Sequence, residues 1–293
     1  MQKKSYIKYL ATLLLFGTNG IIASFISLDS YEIVFLRTLI GGVLLVALYL
    51  STRPKISFYK HKRSLLFVVL SGVSMGMNWM FLFEAFQQVG VSIAILICFC
   101  GPVIIMALSP LLFREKLTII KIIGFIAVLL GLFLVNRQAL DFGKPSMGLL
   151  FAGISAVMYA AMVIFNKKST KIVGMENATI QVLSCLVTVT VFIGFKQGLI
   201  IHVATIDWIP ILILGLINTG IGCYLYFSSI GYLPAQSVAI CGYLEPLAAV
   251  VFSAMFLKEI LSPIQLVGAV LIIGGAVFAE AFNKRISNPT SIK

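Results

Sequence analysis

Phe113-Arg114-Glu115-Lys116-Leu117-Thr118 returns later in the chain as Leu257-Lys258-Glu259-Ile260-Leu261-Ser262, a shift of 144 residues from Glu115 to Glu259. Held at that shift without gaps, Glu32 falls on Glu176, Phe83 on Phe227, Pro102 on Pro246, Gly124 on Gly268 and Gly131 on Gly275. Apolar coincidences would mean little in a chain that is 60% hydrophobic. Matches of Glu and Pro are informative, because only 10 Asp plus Glu and 9 Pro occur in 293 residues. One unit of the repeat holds five apolar runs, each near the ~20 residues an α-helix needs to cross about 30 Å of hydrocarbon. An odd number of crossings turns the second copy upside down, so the pattern predicts two halves of inverted topology.

Composition leads to the same class. Charged residues make up 11% and mean hydropathy is +1.07, whereas soluble domains carry about 25% charged residues. The fold expected is all-α and transmembrane: ten helices arranged as two inverted five-helix repeats, residues 1–140 and 146–285, with 286–293 a short cytoplasmic tail. The spans are read at 6–27, 31–51, 64–86, 89–112, 118–136, 146–166, 176–196, 207–230, 234–257 and 263–282. The first follows Lys3, Lys4 and Lys8 without a small-residue cleavage site, so it reads as a retained span rather than a leader.

Loop charge orients the chain. With the N-terminus in the cytoplasm, the basic residues of 53–63, Arg114, Lys116, Lys121, Lys167, Lys168, Lys171, Lys284, Arg285 and Lys293 all fall inside. Arg137, Lys144, Lys196 and Lys258 alone fall outside. That bias is the positive-inside pattern, and it requires both termini on the cytoplasmic side. The net charge of +12 therefore suits topology and anionic lipid heads. No basic face interleaved with aromatics supports a nucleic-acid partner. Cys98, Cys100, Cys185, Cys223 and Cys241 lie within apolar runs and read as small buried apolar residues.

The segments Cys100-Gly101-Pro102…Phe113-Arg-Glu-Lys-Leu-Thr118…Gly124…Gly131 and Leu244-Glu245-Pro246…Leu257-Lys-Glu-Ile-Leu-Ser262…Gly268…Gly275 resemble the paired repeats of the drug/metabolite transporter superfamily, in its ten-span EamA-type branch. Phe35-Leu36-Arg37 is similar to that branch as well. The resemblance covers nearly the whole chain. It implies a multi-pass transporter of the inner or plasma membrane that carries a small metabolite, more often outward than inward.

Glu245 is the sharpest candidate for chemistry. It lies about 15 Å into its span, where a carboxyl group is costly unless it faces protein, water or a partner. It would carry a proton or contact the substrate; the structural alternative is a protonated side chain holding one hydrogen bond. Arg37 lies about 9 Å deep; its fork suits a carboxylate or phosphate, or pairs with an acid such as Glu84. Their repeat counterparts, Gly101 and Gln181, are uncharged, so neither residue is demanded by the scaffold. Glu84 is read as a gate or an exposed interfacial acid. Asn19, Asn78 and Asn218 either line a cavity or bond helix to helix.

Trp79, Phe83 and Phe86 share one helix face, as do Tyr224 and Phe227. Such walls hold an aromatic or cationic solute or face lipid. Tyr243 is of interest for its place next to Glu245. Pro102 and Pro246 each interrupt a span, and paired interruptions at matched positions point to a central site in which they act as hinges. Thr118 and Ser262 are read as N-caps, with Pro263 at the first helical position. The glycines at seven-residue spacing permit a close helix contact.

His61 and His202 stand alone in loops, and no phosphate-binding glycine loop, metal cluster or catalytic triad appears. Neither enzyme activity nor a cofactor is expected. Substrate, lipid and protons are the expected partners, and an ion or solute gradient is the expected energy source. A lipid-carrier flippase or a non-transporting scaffold or sensor remains open at this level.

Overall fold

A computed structural model describes residues 2–52, 57–89, 91–135, 146–196, 198–199, 201–256 and 262–287. The second copy of the repeated motif (257–261), the middle break at 136–145 and residues 288–293 of the tail lie outside them. Among the described residues there is no β-strand. The helices are α1 (Gln2–Gly17), α2 (Asn19–Ala23), α3 (Ser30–Ser51), α4 (Lys62–Val89), α5 (Val91–Cys98), α6 (Gly101–Phe113), α7 (Ile119–Val135), α8 (Ser146–Lys168), α9 (Gly174–Lys196), α10 (Trp208–Leu212), α11 (Cys223–Phe227), α12 (Ala235–Gly242), α13 (Leu244–Phe256) and α14 (Pro263–Ser287). A π-helix, Ile213–Gly222, joins α10 to α11.

Among the described residues, seven helical stretches are long and apolar enough to cross a bilayer, and Gly101–Phe113, Ile119–Leu134 and Pro263–Ala279 are shorter apolar helices. The surface is that of a protein dissolved in lipid: Ile123, Ile126 and Leu130 of α7 and Val267, Val270 and Ile273 of α14 are all exposed. Polar groups turn inward instead. Ser71, Asn166, Asn177 and Gln181 are buried and bond to one another between α4, α8 and α9, with Gln181 Nε2 donating to Ser71 Oγ at 2.7 Å.

The two spans that carry Pro102 and Pro246 are broken. The stretch 89–112 divides into α5 and α6, and 234–257 into α12 and α13; the first pieces have 8 residues each and the second 13 each. The prolines explain where. A proline has no N–H to give the carbonyl four residues back and crowds that carbonyl with its ring. For Pro102 that residue is Cys98, and for Pro246 it is Gly242, the last residues of α5 and α12. The first span is likewise interrupted at Thr18, between α1 and α2.

α7 and α14 pack along each other. A methyl group at Gly124 would stand 2.6 Å from the Gly275 carbonyl oxygen, and one at Gly131 would stand 2.5 Å from that of Gly268. One helix climbs seven residues as the other descends seven, so the pair is antiparallel and the contact is reciprocal. The caps form as expected: Thr118 Oγ1 accepts from Lys121 N at 3.4 Å, and Ser262 and Gln265 make a reciprocal capping pair ahead of which Pro263 starts α14.

Candidate functional site

The three breaks converge on a cavity of about 370 Å³ walled by α1–α2, α3, α4, α8, α11 and α13. Two opposite charges face it, Arg37 from α3 and Glu245 from the first turn of α13.

Arg37 is buried and held from three directions. Its Nε donates to Thr219 Oγ1 at 2.9 Å, an Nη donates to Asn19 Oδ1 at 3.3 Å, and its guanidinium lies 4.9 Å from the centre of the Trp79 ring. Two of the three holders come from irregular stretches, and Trp79 comes from the regular helix α4. Thr219 sits on the π-helix, a feature that is often found at functional sites. Asn19 opens α2 just after the break. Asn218 braces that break: its Nδ2 donates to Leu15 O at 3.1 Å, to Thr18 Oγ1 at 3.0 Å and to Asn19 Oδ1 at 2.8 Å. These contacts use two of the five guanidinium donors, and the remaining ones are left for a solute. Such a fork, fixed in advance on a ring, is suited to a planar anion.

Glu245 is half-buried because its carboxylate borders open cavity, and among the described residues it makes no hydrogen bond. The amides at a helix N-terminus stabilise negative charge in the first turn. Arg37 lines the same cavity. Trp79, Phe83 and Phe86 form one wall, Phe16 and Phe227 belong to others, and Asn78 contributes an amide anchored to Ser155 O at 2.9 Å. The space suits a small solute with polar ends and an apolar or aromatic body.

A polar seal surrounds the start of α12, which no side chain of its own caps. The Glu115 carboxylate accepts from Ala235 N at 2.6 Å and Gln236 N at 3.1 Å. Gln236 Nε2 donates to Ser109 Oγ at 2.9 Å, and Lys121 Nζ donates to Gln236 Oε1 at 2.7 Å. Lys167 Nζ donates to the carbonyls of Leu233 and Ile230 and lies over the Phe113 ring. Nearer the cavity, Tyr9 OH donates to Val238 O at 2.8 Å and Tyr6 OH to Ser237 Oγ at 3.0 Å. Arg114 makes this seal reachable. Its φ of 56° is left-handed, costly for a residue with a Cβ, and it turns the chain at the end of α6 so that Glu115 faces α12 rather than its own helix.

Of the residues singled out from the sequence, the structure gathers Glu245, Arg37, Asn19, Asn78, Trp79, Phe83, Phe86, Phe227 and Pro246 on this cavity. Tyr243, Glu84, Tyr224 and Pro102 lie elsewhere. Tyr243 is fully buried and donates to Phe99 O at 2.6 Å, within an apolar cluster with Phe125 and Ile240. Tyr243 caps the end of α12 and Glu245 lies two residues on, in the first turn of α13, so closeness in sequence did not put both side chains on the cavity. Glu84 is neither an exposed acid nor the partner of Arg37; it is buried and paired with Lys196 of α9. Tyr224 is not among the cavity residues, and its ring instead meets Lys8 at 5.3 Å. Pro102 borders the break before α6 rather than the cavity.

Several lining groups had no sequence signal. Tyr159 and Tyr226 face the cavity, and the buried Tyr226 hydroxyl has no hydrogen-bond partner among the described residues. Two more tyrosines in a chain with ten do not stand out without tertiary neighbours.

The sequence pattern of the EamA-like transporter family matches residues 3–137 and again 146–280. The uncharacterized transporter YxxF of Bacillus subtilis (strain 168) is 27% identical over 291 residues, covering 97% of this chain and 92% of that protein. The riboflavin transporter ImpX of Fusobacterium nucleatum is 26% identical over 182 residues, covering 59% of this chain and 60% of its own. A solved crystal structure superposes with a TM-score of 0.84 over 97% of this chain and 100% of that one, at 18% identity, which is a likeness of fold alone.

Proposed function

This chain belongs to the EamA-like transporter family, and from that premise we propose that it moves a small metabolite across the cell membrane by alternating access. The observation that carries the proposal is one cavity that presents an oriented cation, Arg37, and a carboxylate, Glu245, with no hydrogen bond among the described residues. In this reading Arg37 receives an anionic group of the solute. Glu245 takes its ammonium group or a proton, and the ring wall of Trp79, Phe83 and Phe86 receives its body. An amino-acid-like or other small amphiphilic solute meets these terms, and efflux is the direction adopted on family grounds.

The movement proposed is a rocking of two inverted five-span halves with both termini cytoplasmic. The reciprocal glycine contacts of α7 and α14 support it, because exchanging the two halves turns the Gly124–Gly275 contact into the Gly268–Gly131 contact. The matching lengths of the broken helices support it too. On this topology the seal around α12 is the closed cytoplasmic gate, and the cavity faces outward. It joins Tyr6, Tyr9, Ser109 and Glu115 of the first half to residues 230–238 of the second, so the halves part only when it breaks.

The test is flux in proteoliposomes across a panel of amino acids, riboflavin and other small metabolites, with and without a pH gradient. A member of the panel should accumulate with the wild-type protein, and Glu245→Gln should uncouple that accumulation from the gradient. No flux for any member, or unchanged coupling in the variant, would refute the solute reading or the proton role respectively.

A further inference from the structure

The bilayer-facing side carries a second hollow, about 400 Å³ in volume, between α4 and α9. It starts where the helices touch: a methyl group at Gly76 would lie 2.8 Å from Thr188 Cβ. From there Met77, Met80, Phe81, Val191 and Phe192 line it, and Lys196 stands at its far end. Thr188 contributes no free hydroxyl, since its Oγ1 donates to Ser184 O at 2.9 Å. Water entering here would lack the two to four polar partners it needs. Left empty, the walls would forfeit their dispersion contacts. What the bilayer offers in quantity is an acyl chain.

The length and the end group both fit one. Eight residues separate Thr188 from Lys196, about 12 Å along α9, which is most of one leaflet's share of the ~30 Å hydrocarbon core. Lys196 is the last residue of α9, so the hollow ends at the headgroup level. Its ammonium pairs with buried Glu84 behind it and lies 3.4 Å from the Tyr31 hydroxyl. An ammonium has three donors, and with its side chain 38% exposed the third is available toward the bilayer. The acid is behind the cation, so the surface presents positive charge. We propose that this hollow is a site for a phospholipid of net negative charge, its acyl chain held between α4 and α9 and its phosphate on Lys196, with no headgroup cation to compete for that phosphate.

The experiment is native mass spectrometry of the delipidated protein in detergent, titrated with dioleoyl phosphatidylglycerol and, separately, dioleoyl phosphatidylcholine. The wild type should retain one phosphatidylglycerol at concentrations where phosphatidylcholine is lost. Val191→Trp, which fills the hollow from its lipid-exposed wall, should weaken that retention at least tenfold. Met77→Trp, from the opposite wall, should do the same, so a folding defect in one variant leaves the other to decide. Lys196→Gln should bind the two lipids alike. Equal retention of both lipids by the wild type, or retention in the tryptophan variants as strong as in the wild type, would overturn the site. Neither result depends on transport.

Discussion

Removing the Glu115 carboxylate should open the gate proposed on the cytoplasmic side. In Glu115→Ala the first N–H groups of α12, at Ala235 and Gln236, lose acceptors 2.6 and 3.1 Å away. A hydrogen bond to a charged group contributes roughly 1.5–3 kcal/mol. Glu115 is only half-buried, so water replaces part of the loss, and a combined effect of about 2 kcal/mol is the working figure. At 1.36 kcal/mol per factor of ten, that is roughly a 30-fold gain in the population with the gate open. The reporter is Ser237→Cys in a background with the five native cysteines replaced. Ser237 is buried beneath the cavity beside Tyr6, so a membrane-impermeant maleimide reaches it from the cytoplasmic side only when the seal parts. Labelling in inside-out vesicles should be about 30-fold faster with Glu115→Ala than without it, in keeping with the same free-energy shift. Rates within twofold of each other would mean that these bonds do not hold the gate.

Four further substitutions probe other parts of the account. Arg114→Gly should raise stability by about 1 kcal/mol by relieving a left-handed backbone at a residue with a Cβ; a lower midpoint in thermal unfolding would contradict the strain argument. Gly124→Leu should destabilise by roughly 1–3 kcal/mol through overpacking against α14, whereas Gly153→Ala, with open space around it, should leave the unfolding midpoint where it was. Arg37→Lys keeps the charge but loses the planar fork and the Thr219 contact, so affinity for the transported solute should fall roughly tenfold or more. Counterflow measurements on the solute identified in proteoliposomes would show this, and unchanged affinity would remove Arg37 from solute binding.

The sequence disclosed the features that depend on local chemistry. Pro102 and Pro246 marked where two helices break, to within the residue each proline crowds. The spacing of Trp79, Phe83 and Phe86 put three rings on one face, and the glycines at 124, 131, 268 and 275 marked a close crossing. What stayed hidden were partners fixed by rotation about helix axes. Depth in the bilayer suggested Arg37 with Glu84, but depth says nothing of angle around the bundle, and Lys196 took Glu84 while Asn19, Thr219 and Trp79 took Arg37. Glu115 stands in the repeated motif three residues before the cap Thr118, yet it serves a helix 120 positions away. The π-helix that presents Thr219 had no counterpart in the apolar pattern, since a widened turn changes the register of a helix without altering its composition.

The most direct test of the central claim compares metabolite distribution in cells that lack the protein, produce it, or produce an Arg37→Gln, Glu245→Gln double variant at the same membrane level. The account predicts at least one small solute whose distribution across the membrane changes with the wild-type protein and returns to the background value with the double variant. A solute moved equally well by both proteins would show that the two charges do not form the transport site.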